Sequence, residues 1–161
     1  MLKGIPKRPC VARKAAISGS GRVQSACSST SYFAEGRTVL FSVPGAFTPT
    51  CSAKHLPSFI EHYDSVVAAG VDRIACLSVN DPHVMKIWGE QNGATGKIDM
   101  LADPLGDLSK ALGLLVFMGP VLGERATRAA IIIDDGVVTK VLLEEVGAFE
   151  VSSAPHVLTQ L

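Results

Sequence analysis

Hydrophobic positions alternate along the chain between short continuous runs and stretches with a period near that of a helix. Val39, Leu40, Phe41 and Val43 form such a run, the pattern of a central strand buried on both faces, and Pro44-Gly45 stops it. Over residues 51–69, Leu56, Phe59, Ile60, Tyr63, Val66 and Val67 recur at spacings of three and four. That spacing predicts one amphipathic helix with Cys51 in or next to its first turn. Gly70 supplies a helix stop, and 71–79 reads as a second buried strand containing Cys76.

Asn80-Asp81-Pro82 offers an N-cap followed by proline at a first helical position, opening a helix through Val84, Ile87 and Trp88 to Gly93. A third strand is expected over 98–102, a turn over 103–106 and a short helix around 108–112. Residues 114–123 are apolar but interrupted by glycine and proline, and read as a packed loop. Asp134-Asp135-Gly136 between the apolar runs 129–133 and 137–143 is the strongest hairpin signal in the chain. Residues 153–161 close as a short helix. Strands alternating with helices, then a hairpin and a last helix, predict an α/β fold in which helices flank a mixed sheet.

Composition narrows the functional classes. At 161 residues, with 47% hydrophobic and 19% charged residues, the chain suits one globular domain with a sizeable core. No window reaches the roughly 18 consecutive apolar residues of a membrane span. The formal net charge of zero is uneven: six of the 15 basic residues and no acid lie in 1–34, leaving nine bases against 15 acids beyond it. A domain with that acidic balance gives no electrostatic case for nucleic acid. The four cysteines, at 10, 27, 51 and 76, show no paired spacing, which suits a reducing compartment better than a disulfide framework.

Candidate chemistry centres on Cys51. The free N–H groups and dipole at the start of a helix favour an anion, so a thiol there is expected to lose its proton more readily than a free cysteine, and the thiolate is the nucleophile. The alternative is a small buried apolar residue. His55 lies one turn on, on the same helix face. Cys51 and His55 could form half a zinc site or a nucleophile pair, yet His62, His83, His156 and the other cysteines supply no second pair with ligand spacing, so no metal is expected. Thr48 could either cap the helix or place a hydroxyl at the thiol. Arg128, at the start of an apolar run, could serve the site or pair with one of the many acids; Arg125 is its competitor.

The segment PGAFTPTCSAKHLPSF resembles the active-site motif of type II, or Prx5-like, peroxiredoxins, closest to their plant-like and fungal branch. The likeness continues through CLSVNDPHVMKIW, LADPLGDLSKALGL, GERATRAAIIIDDG and FEVSSAPHVL, covering residues 32–161. It implies a thioredoxin-like fold over 35–161 and a thiol-dependent peroxidase acting on hydrogen peroxide and organic hydroperoxides through a sulfenic acid, in antioxidant defence and cell redox homeostasis. In it Cys51 is the peroxidatic cysteine, Thr48 and Arg128 activate thiol and peroxide, and Pro44 shields the thiol. Gly45 and Phe47 border the substrate pocket, with Leu115, Phe117 and Phe149 as further candidates for an apolar mouth.

Val151 stands where animal-type members carry a resolving cysteine, and Cys76 is the remaining candidate for an internal disulfide. Resolution by an external thiol, glutathione with glutaredoxin or thioredoxin, is the leading expectation, with no cofactor and a homodimer. A non-enzymatic redox sensor or relay is the competing reading. Residues 1–34, basic and rich in serine and alanine, read as an organellar presequence, a disordered tail or a misplaced start. Mitochondrion or plastid follows from the first, cytoplasm from the others; Thr159-Gln160-Leu161 is too distant from SKL to argue for the peroxisome.

Overall fold

A computed structural model describes residues 29–161. A short helix, α1 (Ser29–Tyr32), leads into β1 (Arg37–Ser42). After the Pro44-Gly45 loop come a π-helical turn (Cys51–His55), α2 (Leu56–Glu61) and α3 (Tyr63–Ala68). Then follow β2 (Arg73–Ser78), α4 (Pro82–Gln91), β3 (Asp99–Ala102), α5 (Asp107–Ala111), β4 (Leu115–Phe117), α6 (Gly119–Leu122), β5 (Glu124–Ala126), β6 (Ala129–Asp134), β7 (Val137–Leu143) and α7 (Ala154–Leu158). The main sheet has the order β3-β2-β1-β6-β7, with β1 to β3 parallel and β6 and β7 antiparallel to their neighbours. The mixed sheet expected from the sequence is therefore present, with β1 at its centre.

Side-chain alternation along each strand divides the core into two layers. Val39 and Phe41 of β1, Ile74 and Cys76 of β2, and Met100 and Ala102 of β3 face a layer that also holds Cys51, Leu56, Phe59, Met85, Trp88 and Val157. Leu40, Ala75, Leu77, Leu101 and Ile131 face the other, with Tyr32, Phe33 and Leu108. Register places Ala130, Phe41, Cys76 and Met100 side by side across four strands. That row is the floor beneath the Cys51 helix.

Several sequence expectations need correction. The helix over 51–69 is not one α-helix. Its first turn is π-helical, with the Leu56 N–H bonded to the Cys51 carbonyl five residues back. Pro57 explains the widening: it has no N–H for the usual i−4 bond, and its ring would strike the carbonyl it should have paired with. A second break falls at His62, whose backbone N–H and ring Nδ1 both donate to the Ser58 carbonyl. A side chain competing for an i−4 acceptor interrupts the ladder.

The 114–123 segment is not a loop throughout. β4 pairs antiparallel with β5, and α6 joins them, so the glycine and proline residues punctuate a small hairpin. Residues 29–34, grouped by composition with the basic N-terminal segment, pack on the fold: Tyr32 and Phe33 are buried, and Arg73 donates to the Tyr32 carbonyl. Cys10, Cys27 and the six N-terminal bases lie outside the described residues.

Other local readings hold. Asp81 caps α4 through the N–H groups of His83 and Val84, ahead of Pro82. Asp135 and Gly136, at φ 46° and 80°, form the two positive-φ positions of a type I′ hairpin turn.

Candidate active site

Parallel β1 delivers the chain at its C-terminal end into the Pro44–Thr48 loop and then Cys51. Antiparallel β6 begins at that same end, because Ser42 is registered with Ala129. Arg128, just before β6, is thus brought beside Cys51 by strand polarity although 77 residues separate them.

The Cys51 thiol is fully buried. Arg128 Nη2 donates to its sulfur at 3.4 Å, and the other limb of the guanidinium, Nη1, donates to His55 Nδ1 at 3.0 Å. His55 Nε2 lies 3.1 Å from the Ser152 carbonyl. A carbonyl can only accept, so Nε2 carries the proton and Nδ1 is the acceptor for arginine. Burial, then the Arg128 charge, push the His55 pKa down to about 3 against an opposing lift from Ser152. His55 is neutral at physiological pH, and both its nitrogens are engaged by protein groups, which leaves neither for a metal.

Among the described residues no carboxylate lies within ion-pair distance of Arg128. The anticipated pairing with an acid is absent there, and sulfur is the group that faces its charge. Phe149 lies over both partners, its ring 5.0 Å from the His55 ring and 6.0 Å from the guanidinium carbon. Phe41 stacks on Phe59 at 4.2 Å below them. The buried thiol is therefore flanked by aromatic side chains, an apolar setting that strengthens charge interactions with it.

The remaining sequence candidates fall around this centre. Thr48 does not cap the helix: its hydroxyl donates to the Gly45 carbonyl at 2.7 Å, which leaves the oxygen lone pairs able to accept. Gly45 is a tight spot, where an added Cβ would stand 3.1 Å from Thr48 Cγ2 and 3.2 Å from Arg125 Nη1. Arg125 is occupied elsewhere, donating to the carbonyls of Leu122 and Val79, so of the two arginines only Arg128 reaches the sulfur.

Asn80 ties the loop to β2, its Oδ1 accepting from Ala46 N–H and Ser78 Oγ. Phe47 is half exposed at the loop tip with φ 63°, a backbone conformation unusual for an aromatic residue. Pro44 is partly buried, Leu115 half-buried, and Phe117 exposed on the β4–β5 hairpin. Cys76 is buried on β2 in the same layer as Cys51; burial pushes its thiol up, and charge on Cys51 pushes it further.

Two features were beyond the sequence reading. Trp88 Nε1 donates to Ser52 Oγ at 2.9 Å, pinning the π turn to α4. Glu144, beyond β7, is buried, and its Oε1 accepts from Glu150 N, Ser152 N and Ser152 Oγ at 2.6 to 2.8 Å. No periodicity links Glu144 to Ser152, so only the fold reveals the pair.

A buried thiol facing a guanidinium that has no carboxylate partner among the described residues, at the C-terminal edge of a thioredoxin-like sheet, defines a thiol-based redox protein. The family model described as Redoxin matches residues 20–158. Peroxiredoxin-2E-2, chloroplastic, of Oryza sativa subsp. japonica is 50% identical over 129 residues, 78% of this chain and 57% of its own length. Peroxiredoxin-2B of Arabidopsis thaliana is 46% identical over 126 residues, 78% of each. The crystal structure of reduced Prx3 in complex with hydrogen peroxide from Vibrio vulnificus superposes with a TM-score of 0.88 at 41% identity, covering 99% of this chain and 97% of that one. The chain belongs to the redoxin family and, within it, to the peroxiredoxins.

Proposed function

We propose that this protein is a thiol-dependent peroxidase serving antioxidant defence and redox homeostasis. The reaction begins when the Cys51 thiolate attacks the terminal oxygen of a hydroperoxide. A sulfur–oxygen bond forms, the O–O bond breaks, and the leaving oxygen departs with a proton as water or an alcohol, leaving Cys51 as a sulfenic acid. The observation that carries this reading is the Arg128 guanidinium on the buried sulfur with no carboxylate among the described residues to neutralise it. A fixed cation there favours the thiolate and the negative charge that spreads onto the peroxide oxygens. Thr48 accepts from the peroxide and Pro44 limits water, while Gly45 and Phe47 border the entry.

A thiol external to the chain resolves the sulfenic acid, either glutathione with glutaredoxin or thioredoxin. The burial that raises the Cys76 pKa makes it a poor nucleophile at neutral pH, and strand β2 would have to open for a disulfide to form. Exposed Phe47, Phe117 and Val121 crowd the loops next to the site, and a homodimer that covers them is the expected assembly. Gel filtration showing a monomer at all concentrations would contradict it. Residues 35–161 form the catalytic domain, with 29–34 packed against it. The basic segment before them is an organellar presequence, a reading supported by the chloroplastic designation of the rice relative.

Peroxide consumption with each reductant system tests the proposal. Cys51→Ser is expected to abolish turnover, and Cys76→Ser to retain it. Loss of turnover in a folded Cys76→Ser protein would make Cys76 the resolver. A parent protein that is oxidised once at Cys51 and then stops would instead be a redox relay.

A further inference from the structure

The conformation of Arg128 is maintained by groups that touch neither substrate nor sulfur. We propose that His55 and Glu144 are positioning residues for the Cys51 chemistry, acting as one buried chain that runs from Glu144 through Ser152 and His55 to the Arg128 guanidinium. This rests on the peroxidase reading above and adds the device that orients its arginine.

Among the described residues Arg128 has no carboxylate partner to hold its fork in place. Here one limb is held by the neutral acceptor His55 Nδ1 at 3.0 Å, and that contact directs the other limb to Cys51 Sγ. Nδ1 can accept only while the ring proton sits on Nε2, and the Ser152 carbonyl at 3.1 Å holds it there. Ser152 is in turn fixed by Glu144, whose single oxygen gathers its N–H and hydroxyl together with the N–H of Glu150.

Glu144 is anchored to the same strand pair as the arginine, since its own N–H donates to the Arg128 carbonyl at 3.1 Å. The chain therefore closes on itself: both ends of the loop over 144–152 report to Arg128, one through its backbone and one through its guanidinium. Burial raises the Glu144 carboxyl, but the hydrogen bonds from Ser152, Glu150 and Val151 outweigh this and hold it below the usual carboxylate range. It is thus an anion at working pH, and charge-assisted bonds make it a firm anchor. A neutral imidazole suits the role better than an acid, because a carboxylate at that position would compete with the thiolate for the arginine.

The test follows alkylation of the Cys51 peptide by iodoacetamide as a function of pH, read by mass spectrometry, beside the second-order rate of peroxide consumption. Losing one hydrogen bond to a charged group is expected to raise the midpoint of the alkylation profile in His55→Leu by about one unit and to lower the peroxide rate about tenfold. His55→Gln, whose amide can accept from arginine and donate to Ser152, should recover part of both. Glu144→Gln should shift both in the same direction by less, and combining it with His55→Leu should add little beyond the single change, since the two act along one path.

A His55→Leu protein with parental circular dichroism and an unchanged profile would overturn the proposal. So would strictly additive effects of the two substitutions. If the parent protein consumes no peroxide, the functional reading fails while the alkylation profiles still decide the positioning roles.

Discussion

Phe41 and Phe59 stack at 4.2 Å directly beneath His55, so the ring that holds the arginine rests on an aromatic floor. Phe59→Ala would open a cavity there and is expected to cost about 3–5 kcal/mol, measurable by urea unfolding. Arg128→Lys keeps the charge but loses the fork that spans His55 and Cys51. Its peroxide rate should fall about 100-fold, in the range for removal of one preorganised donor. Trp88 is the only tryptophan of the chain and its indole is bonded to Ser52, next to the reacting sulfur, so stopped-flow fluorescence can follow that step directly. Cys51, Thr48 and Arg128 stood out in the sequence as candidates through their motif and the spacing to the hairpin, and the fold brings the Arg128 guanidinium to the Cys51 sulfur. Glu144 and Ser152 were not, since their importance arises from a loop that folds back across the sheet edge.

Among the elements, the strands and the type I′ hairpin announced themselves, whereas the helix carrying Cys51 did not disclose its form. Apolar spacing at three and four is much the same for an unbroken helix and for one with a π turn. The clue was Pro57, which periodicity ignores and backbone chemistry does not. Pro57→Ala restores a donor and lets the turn tighten to i→i−4 bonding, rotating Cys51 relative to Arg128. Thermal stability is expected to hold or rise, while the peroxide rate falls about tenfold or more because reacting groups tolerate little misplacement. A rate equal to the parent's would show that the π geometry has no part in the chemistry. The β4–β5 hairpin escaped the sequence reading for a related reason: three-residue strands are too short to show a period.

For the whole molecule, strand polarity matters more than any single contact. Parallel β1 beside antiparallel β6 brings a loop and a distant arginine to one edge, and sequence proximity has no part in it. Burial also gives stability a pH signature. His55 is neutral in the fold, with its pKa near 3, but protonates near 6.5 once unfolded. The unfolded state then binds the extra proton, so stability is full above about 6.5 and declines as pH falls toward 3. Between pH 7 and 5 the loss is expected to be about 2 kcal/mol, by urea unfolding at each pH. His55→Gln should remove most of that slope. Glu144, with its depressed pKa, contributes only further toward acid: its stabilisation is present above the ordinary carboxylate range and is lost as pH falls through its folded value.

The complete burial of Cys51 has one more consequence. A peroxide is small enough to enter a closed protein, but a reducing thiol on a tripeptide or another protein is not. On the proposed peroxidase cycle with an external reductant, recycling therefore requires a differently packed form of the chain from the one that is oxidised, and the solvent can tell the two apart. Trimethylamine oxide, which favours compact states by its exclusion from protein surface, should leave the oxidation step almost unchanged and slow the return of the thiol.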